Sequence, residues 1–175
     1  MDKKYFFNFQ LYKKFINPET SEPIDYTYTF ITPIICGFID ILNLEINDDK
    51  LDLFLITRRS KNNAGTRFNT NGINDDGNTA NFCETELILI YNNSLLFSFS
   101  QLRGSAPIFF EKKGISYSID ITRNKDLSKE AFIRHILEIN KDFKNICFIN
   151  LLNKNDSDEV SIIKEFEKQI KLKKK

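Results

Sequence analysis

The residues best placed to do chemistry lie between Thr57 and Asn74, where Arg58, Arg59, Lys61 and Arg67 occur without an intervening acid. Gly65, Gly72 and Gly77 stand in or just beyond this stretch, among several Asn and Asp residues that favour turns by bonding their own backbone. A cationic loop of this composition suits recognition of an anionic ligand, provided rigid elements hold its ends. The plain alternative is a solvated loop whose arginines meet only water. Other chemistry is poorly supported. Cys83 sits between Phe82 and Glu84 with Glu86 near, and carboxylates disfavour the thiolate that a nucleophile needs. Cys83, Cys36 and Cys147 therefore read as packed thiols. His135, the single histidine, reads as a surface or satisfied helix residue. Asp75-Asp76-Gly77 fails as a calcium loop, because the first ligand position would fall on Gly72 or Arg67. No glycine is followed by Lys-Ser or Lys-Thr, which excludes a nucleotide P-loop.

The elements that must position the loop are strands. Leu51–Ile56 and Glu86–Tyr91 flank it, and each pairs naturally with a neighbour: Leu44–Ile46 across Asn47–Asp49, and Leu95–Ser100 across Asn92–Ser94. Alternating aromatics predict further strands at Lys4–Phe15 and Tyr26–Phe30, and alternating Ile and Tyr one at Ile115–Ile121. After Asp126 the apolar spacing changes to three and four. That predicts one helix over Leu127–Ile139, capped by Asp126 or Ser128, and another over Val160–Leu172, with Asp156 and Glu159 in a capping-box relation. The apolar run Ile146–Leu152 between them predicts a buried strand. The expected fold class is α+β: a mostly antiparallel β layer, then a helix–strand–helix unit.

With 175 residues and 41% hydrophobic content, the chain can bury one substantial core. A net charge of +1 gives no basic excess for nucleic acid, so anion binding must come from local clustering. Three widely spaced cysteines point to a reducing compartment with free thiols. No signal peptide and no stretch near the ~18 apolar residues of a spanning helix is evident. Lys171, Lys173, Lys174 and Lys175 form a basic end suited to a helix terminus or to anionic lipid.

Two blocks, RRSKNNAGTRFNTNGINDDGNTANFCETE and SFSQLRGSAPIFF, closely resemble the signature of Sac-type phosphoinositide phosphatases in order and spacing. ITPIICGFIDI and NICFINLLNKN extend the likeness over nearly the whole chain. The resemblance implies that residues 1–121 correspond to the later part of a Sac N-terminal subdomain, and 122–175 to the opening elements of an incomplete catalytic subdomain. It also implies a hydrolase that removes phosphates from phosphatidylinositol phosphates, without a metal cofactor, at the cytosolic face of endoplasmic reticulum or Golgi membranes. The expected partners are the lipid head group, the membrane surface and a catalytic half supplied elsewhere. The family's nucleophile is a Cys with Arg six positions later. Here the sixth residues after Cys36, Cys83 and Cys147 are Leu42, Leu89 and Asn153. The chain is thus expected to end before the catalytic loop and to be inactive alone, with its last helices leaving Ile136, Phe148 and Phe166 exposed. Arg58, Arg59, Lys61, Arg67 and Arg103 are the residues placed near the head group, some of them alternatively holding a subdomain contact. The competing reading is a non-catalytic phosphoinositide- or protein-binding remnant of such a domain.

Overall fold

The computed structural model describes residues 3–17, 20, 24, 32–47, 49–66, 69–92, 94–113 and 118–173. The strand expected at Tyr26–Phe30 and the site residue Arg67 fall outside them. The described chain is α+β: a four-stranded antiparallel sheet, a two-stranded sheet and a few helices. It divides into two compact units, residues 1–61 with 83–103, and residues 62–82 with 104–175.

The first unit is built from two hairpins laid side by side in the order β1 (Cys36–Ile46), β2 (Asp49–Arg59), β3 (Cys83–Tyr91) and β4 (Ser94–Arg103). The turns are where the sequence places them. Asn47 and Asn92 take positive φ of 51° and 45°, which the short tight connections require and Asn tolerates. Both hairpins run longer than their alternation suggests. β1 begins at Cys36, because Ile39, Ile41, Leu42 and Leu44 pair continuously with β2 across from Ile56 to Leu51. Register puts Ile39, Phe54, Ile56 and Ile88 on one face, and Phe38, Leu55, Leu87 and Phe99 on the other. Apolar side chains on both faces are the mark of a sheet meant to be covered twice. Yet Ile39 is 61% exposed and Phe38 53%.

Residues 3–15 correct the strand expected there. They form a short helix α1 (Phe9–Tyr12) between two single 3₁₀ turns, Lys3–Tyr5 and Lys13–Phe15. The alternation hides a second period: Phe6, Phe9 and Tyr12 recur every three residues, and helical winding brings their rings to 5.1–6.3 Å of one another. Ring packing outweighs β propensity. Asn8 fixes the segment to the chain before β1, its side chain donating to Thr32 O and accepting from Ile34 N.

In the second unit, β5 (Phe110–Lys113) and β6 (Ser118–Ile121) pair, and helices α2 (Lys125–Asp142) and α3 (Ser157–Lys173) follow. Its core joins Ile108 and Phe110 to Phe132, Ile136, Ile162 and Phe166. Ile136 and Phe166 are therefore buried, contrary to the exposure expected of them, because the helices close on each other and on the 108–110 segment. Phe148 remains 40% exposed. The run Ile146–Leu152 enters no ladder among the described residues; Ile146 and Leu152 pack on the core, and the Phe148 ring meets those of Phe132 and Phe166 at 6.5 and 5.5 Å between centres. The cap of α2 is Asn124, whose side chain accepts from Leu127 N at 3.1 Å, and neither Asp126 nor Ser128. At α3, Asp156 caps Asp158 and Glu159 as expected, while Glu159 reaches back to Asn153 N in place of closing the box.

Candidate functional site

The loop between β2 and β3 owes its shape to its asparagines. Within residues 62–82, Asn63 donates through Nδ2 to Asn78 O at 2.9 Å, and the Asn81 side chain accepts from Gly65 N at 3.3 Å. Asn74 accepts from Asn78 N at 2.8 Å through its side chain and from Gly77 N at 3.0 Å through its carbonyl. Ile73 and Thr79 form a bridge across this turn. The Asn-rich composition thus satisfies loop backbone that has no ladder to join.

Two glycines decide how closely the loop packs. Gly72 has φ +68°, and a Cβ there would stand 2.4 Å from Ile108 O. Gly77 has φ +84°, and a Cβ would meet Arg134 Cβ at 2.7 Å and His135 N at 2.8 Å. α2 holds the turn with three side chains, counting the arginine just before it. His135 is 7% exposed and donates through Nδ1 to Gly77 O at 3.0 Å, since a carbonyl can only accept. Arg134 donates to Asp75 O at 2.5 Å, and Arg123 pairs with the Asp75 carboxylate at 3.3 Å while lying 5.0 Å from the Phe109 ring centre. Burial pushes the His135 pKa down to about 4 against the opposing pull of the Gly77 bond. His135 is a satisfied helix residue, one of the two readings the sequence allowed, but its partner and those of Arg123 and Arg134 escape sequence reasoning. The signal available was the pair Arg134–His135 interrupting the apolar spacing of the helix.

Of the cations chosen from sequence, Arg58, Arg59, Lys61 and Arg103 are described, and each has its own surroundings. Arg58 lies between the carboxylates of its cross-strand neighbour Glu84, at 3.4 Å, and of Glu86. The stretch free of acids in sequence is therefore not free of them in space. Arg59 falls on the opposite face, in a row that reads Cys36, Arg59, Cys83, Arg103 across the four strands. Arg103 is exposed at the end of β4. Lys61 sets its ammonium 4.6 Å from the Phe9 ring centre. Cys83 is buried as expected, with Sγ 3.7 Å from Glu84 O, whereas Cys147, whose run joins no sheet among the described residues, is exposed. Among the described residues, no group of three His, Cys, Asp or Glu side chains could hold a metal ion. Nor does any helix among them have the length and apolarity to cross a membrane. A cleft of about 280 Å³ opens between Asn69–Asn71, Phe109–Lys112 and Thr122, and none of the four described cations borders it.

The asparagine-built loop and the Arg103-Gly104-Ser105 turn are the two sequence blocks that carry the likeness drawn above. Comparison with known proteins agrees. The family model of the SacI homology domain matches residues 1–175. The polyphosphatidylinositol phosphatase INP53 of Saccharomyces cerevisiae is 33% identical over 143 residues, 81% of this chain and 13% of that protein. The inositol-1,4,5-trisphosphate 5-phosphatase 1 of Schizosaccharomyces pombe is 38% identical over 146 residues, 82% of this chain and 13% of its own length. The phosphatidylinositol-3-phosphatase SAC1 of Saccharomyces cerevisiae is 34% identical over 159 residues, 87% of this chain and 25% of the relative. The chain thus spans a quarter or less of the relatives it matches. It belongs to the SacI homology domain family.

Proposed function

We propose that this chain is part of a phosphatase that hydrolyses phosphate monoesters of phosphatidylinositol phosphates, with the nucleophile supplied by residues outside this sequence. The observation that carries the reading is 33% identity to a polyphosphatidylinositol phosphatase across 81% of the chain. None of the three cysteines has Arg six positions on, which is why the nucleophile is sought elsewhere. Arg59, Arg67 and Arg103 are assigned to the head group. Arg58 is assigned to the frame, because two carboxylates already neutralise it. Lys61, over the Phe9 ring, belongs to a separate basic surface. The compartment we propose is the cytosolic face of endoplasmic reticulum or Golgi membranes.

A chimera tests this reading: residues 1–175 replace the matching segment of the yeast phosphatidylinositol-3-phosphatase. Phosphate release from phosphatidylinositol phosphates by the folded chimera is expected, with none from the chain alone. A folded but inactive chimera would overturn it. A second reading, a non-catalytic phosphoinositide- or protein-binding module, rests on the same missing Cys–Arg pair. It gains ground if the chimera is inactive yet still binds phosphoinositide vesicles.

A further inference from the structure

The chain between α2 and α3 leaves its backbone open. Among the described residues, no backbone N–H or C=O from Lys144 to Leu151 has a hydrogen-bond partner. The open run is bounded on both sides. Phe143 N–H donates to Ile139 O at the end of α2, and Leu152 N–H donates to Asn150 Oδ1. A run of unpaired donors and acceptors is what a strand offers to a sheet.

Its side chains alternate as those of a strand do. Ile146 and Leu152 pack on the core that α2 and α3 build, and the Phe148 ring meets Phe132 and Phe166. Cys147 is exposed, and Ile149 and Leu151, at 80% and 87%, are the most exposed large apolar side chains described. One face is thus covered by helices and the other is apolar and bare, the mark of a strand from inside a sheet covered twice. Lys144 and Lys154 flank the run, with no acid from Phe143 to Asn155, and neither has an ion partner among the described residues.

We propose that residues 144–151 receive a β-strand from the part of the protein outside this sequence, forming one sheet with it. The chemistry of that strand follows from the run. It is apolar on the face it shares with Ile149 and Leu151, and it carries carboxylates near its ends to meet Lys144 and Lys154. Chain enough exists to supply it, since the matched segments make up only 13–25% of the relatives. A second copy of this chain fits worse. Laid antiparallel about Ile149, it would set Lys144 against Lys154 at both ends and leave Ile149 and Leu151 bare. The inference rests on the proposed function, which seeks the nucleophile in that outside part, and adds where the two portions join.

The test compares hydrogen–deuterium exchange of residues 144–151 in the full chain and in the chimera with the yeast phosphatidylinositol-3-phosphatase. Fast exchange in the chain, slowed by roughly 100-fold or more in the chimera, is expected. Ile149→Asn with Leu151→Asn should move the melting temperature of the chain by less than about 2 °C, because both side chains are exposed. The same pair should lower that of the chimera by roughly 5 °C or more. Fast exchange in a folded chimera, or equal tolerance of the pair by both proteins, overturns the inference. So does protection that appears in the chain alone as its concentration rises, which would give the run to a second copy. If the chimera does not fold, exchange is read on the chain mixed with the yeast protein lacking its matching segment, and unprotected residues there overturn the inference too. Activity reports separately. Protection in an inactive chimera keeps the strand and sinks the proposed function, whereas fast exchange in an active one does the reverse.

Discussion

Acidification should weaken the grip of α2 on the Asn74–Asn78 turn, and His135 sets both the size and the range of the effect. Its Nδ1–H is committed to Gly77 O, and the Phe82 ring meets it edge to face with 5.9 Å between ring centres, so a second proton would be added to a ring 7% exposed. Burial lowers its pKa from 6.5 to about 4. The unfolded chain therefore takes up this proton first. Stability is highest above pH 6.5, falls as pH drops towards 4, and levels off once the folded ring is also charged. At ~1.4 kcal/mol per pH unit the full loss is about 3 kcal/mol, a sizeable share of the ~5–15 kcal/mol that holds a domain. Asn at position 135 can keep a donor near Gly77 O but cannot titrate. Urea unfolding of wild type and His135→Asn from pH 4 to 7.5 gives the comparison. The variant should be less stable at neutral pH through lost ring packing, and the two curves should converge by about 3 kcal/mol between pH 6.5 and 4. Parallel curves over that interval would refute the assignment.

Three further outcomes are expected. Arg58→Ala should cost about 1–3 kcal/mol by leaving Glu84 and Glu86 side by side, visible in thermal melts, while vesicle binding stays unchanged; weakened lipid binding at unchanged stability would return Arg58 to the head group. Gly72→Ala should destabilise by more than about 2 kcal/mol, because positive φ and the 2.4 Å approach to Ile108 O act together; denaturant midpoints of variant and wild type check this. Ile39→Thr with Ile41→Thr should reduce binding of a hydrophobic dye and raise solubility, with stability moved by less than ~0.5 kcal/mol, since both side chains are at least 50% exposed.

The strands were legible because their signals are local. Apolar runs bracket Asn47 and Asn92, and both residues supply the φ their turns need. The helices were legible by period, although Asn124 took the cap ahead of Asp126 because its backbone was already extended at φ −69°, ψ 167°. What failed depends on partners distant in sequence. Arg58 looked unopposed until β3 set Glu84 beside it, and Ile146–Leu152 looked like a strand but pairs with none among the described residues. The aromatic segment 3–15 satisfied two periods at once, and only ring packing chose between them. The surroundings of the candidate site were the least legible, since its five cations were chosen from the sequence before any cross-strand neighbour was known.

The chain passes between its two units at residues 61, 82 and 103, and this sets a timetable for synthesis. The β1–β2 hairpin can close soon after Arg59 leaves the ribosome. The loop that follows cannot, because Gly77 waits for His135, 58 residues later. At roughly 5–20 residues per second that interval lasts roughly 3–12 s. Through it, the asparagine web must hold the loop's shape by bonds within residues 62–82, and β3 must find β2 across an unfinished insertion. Slow translation through residues 104–135 would prolong the exposure, so codon usage there should bear on yield more than in the sheet.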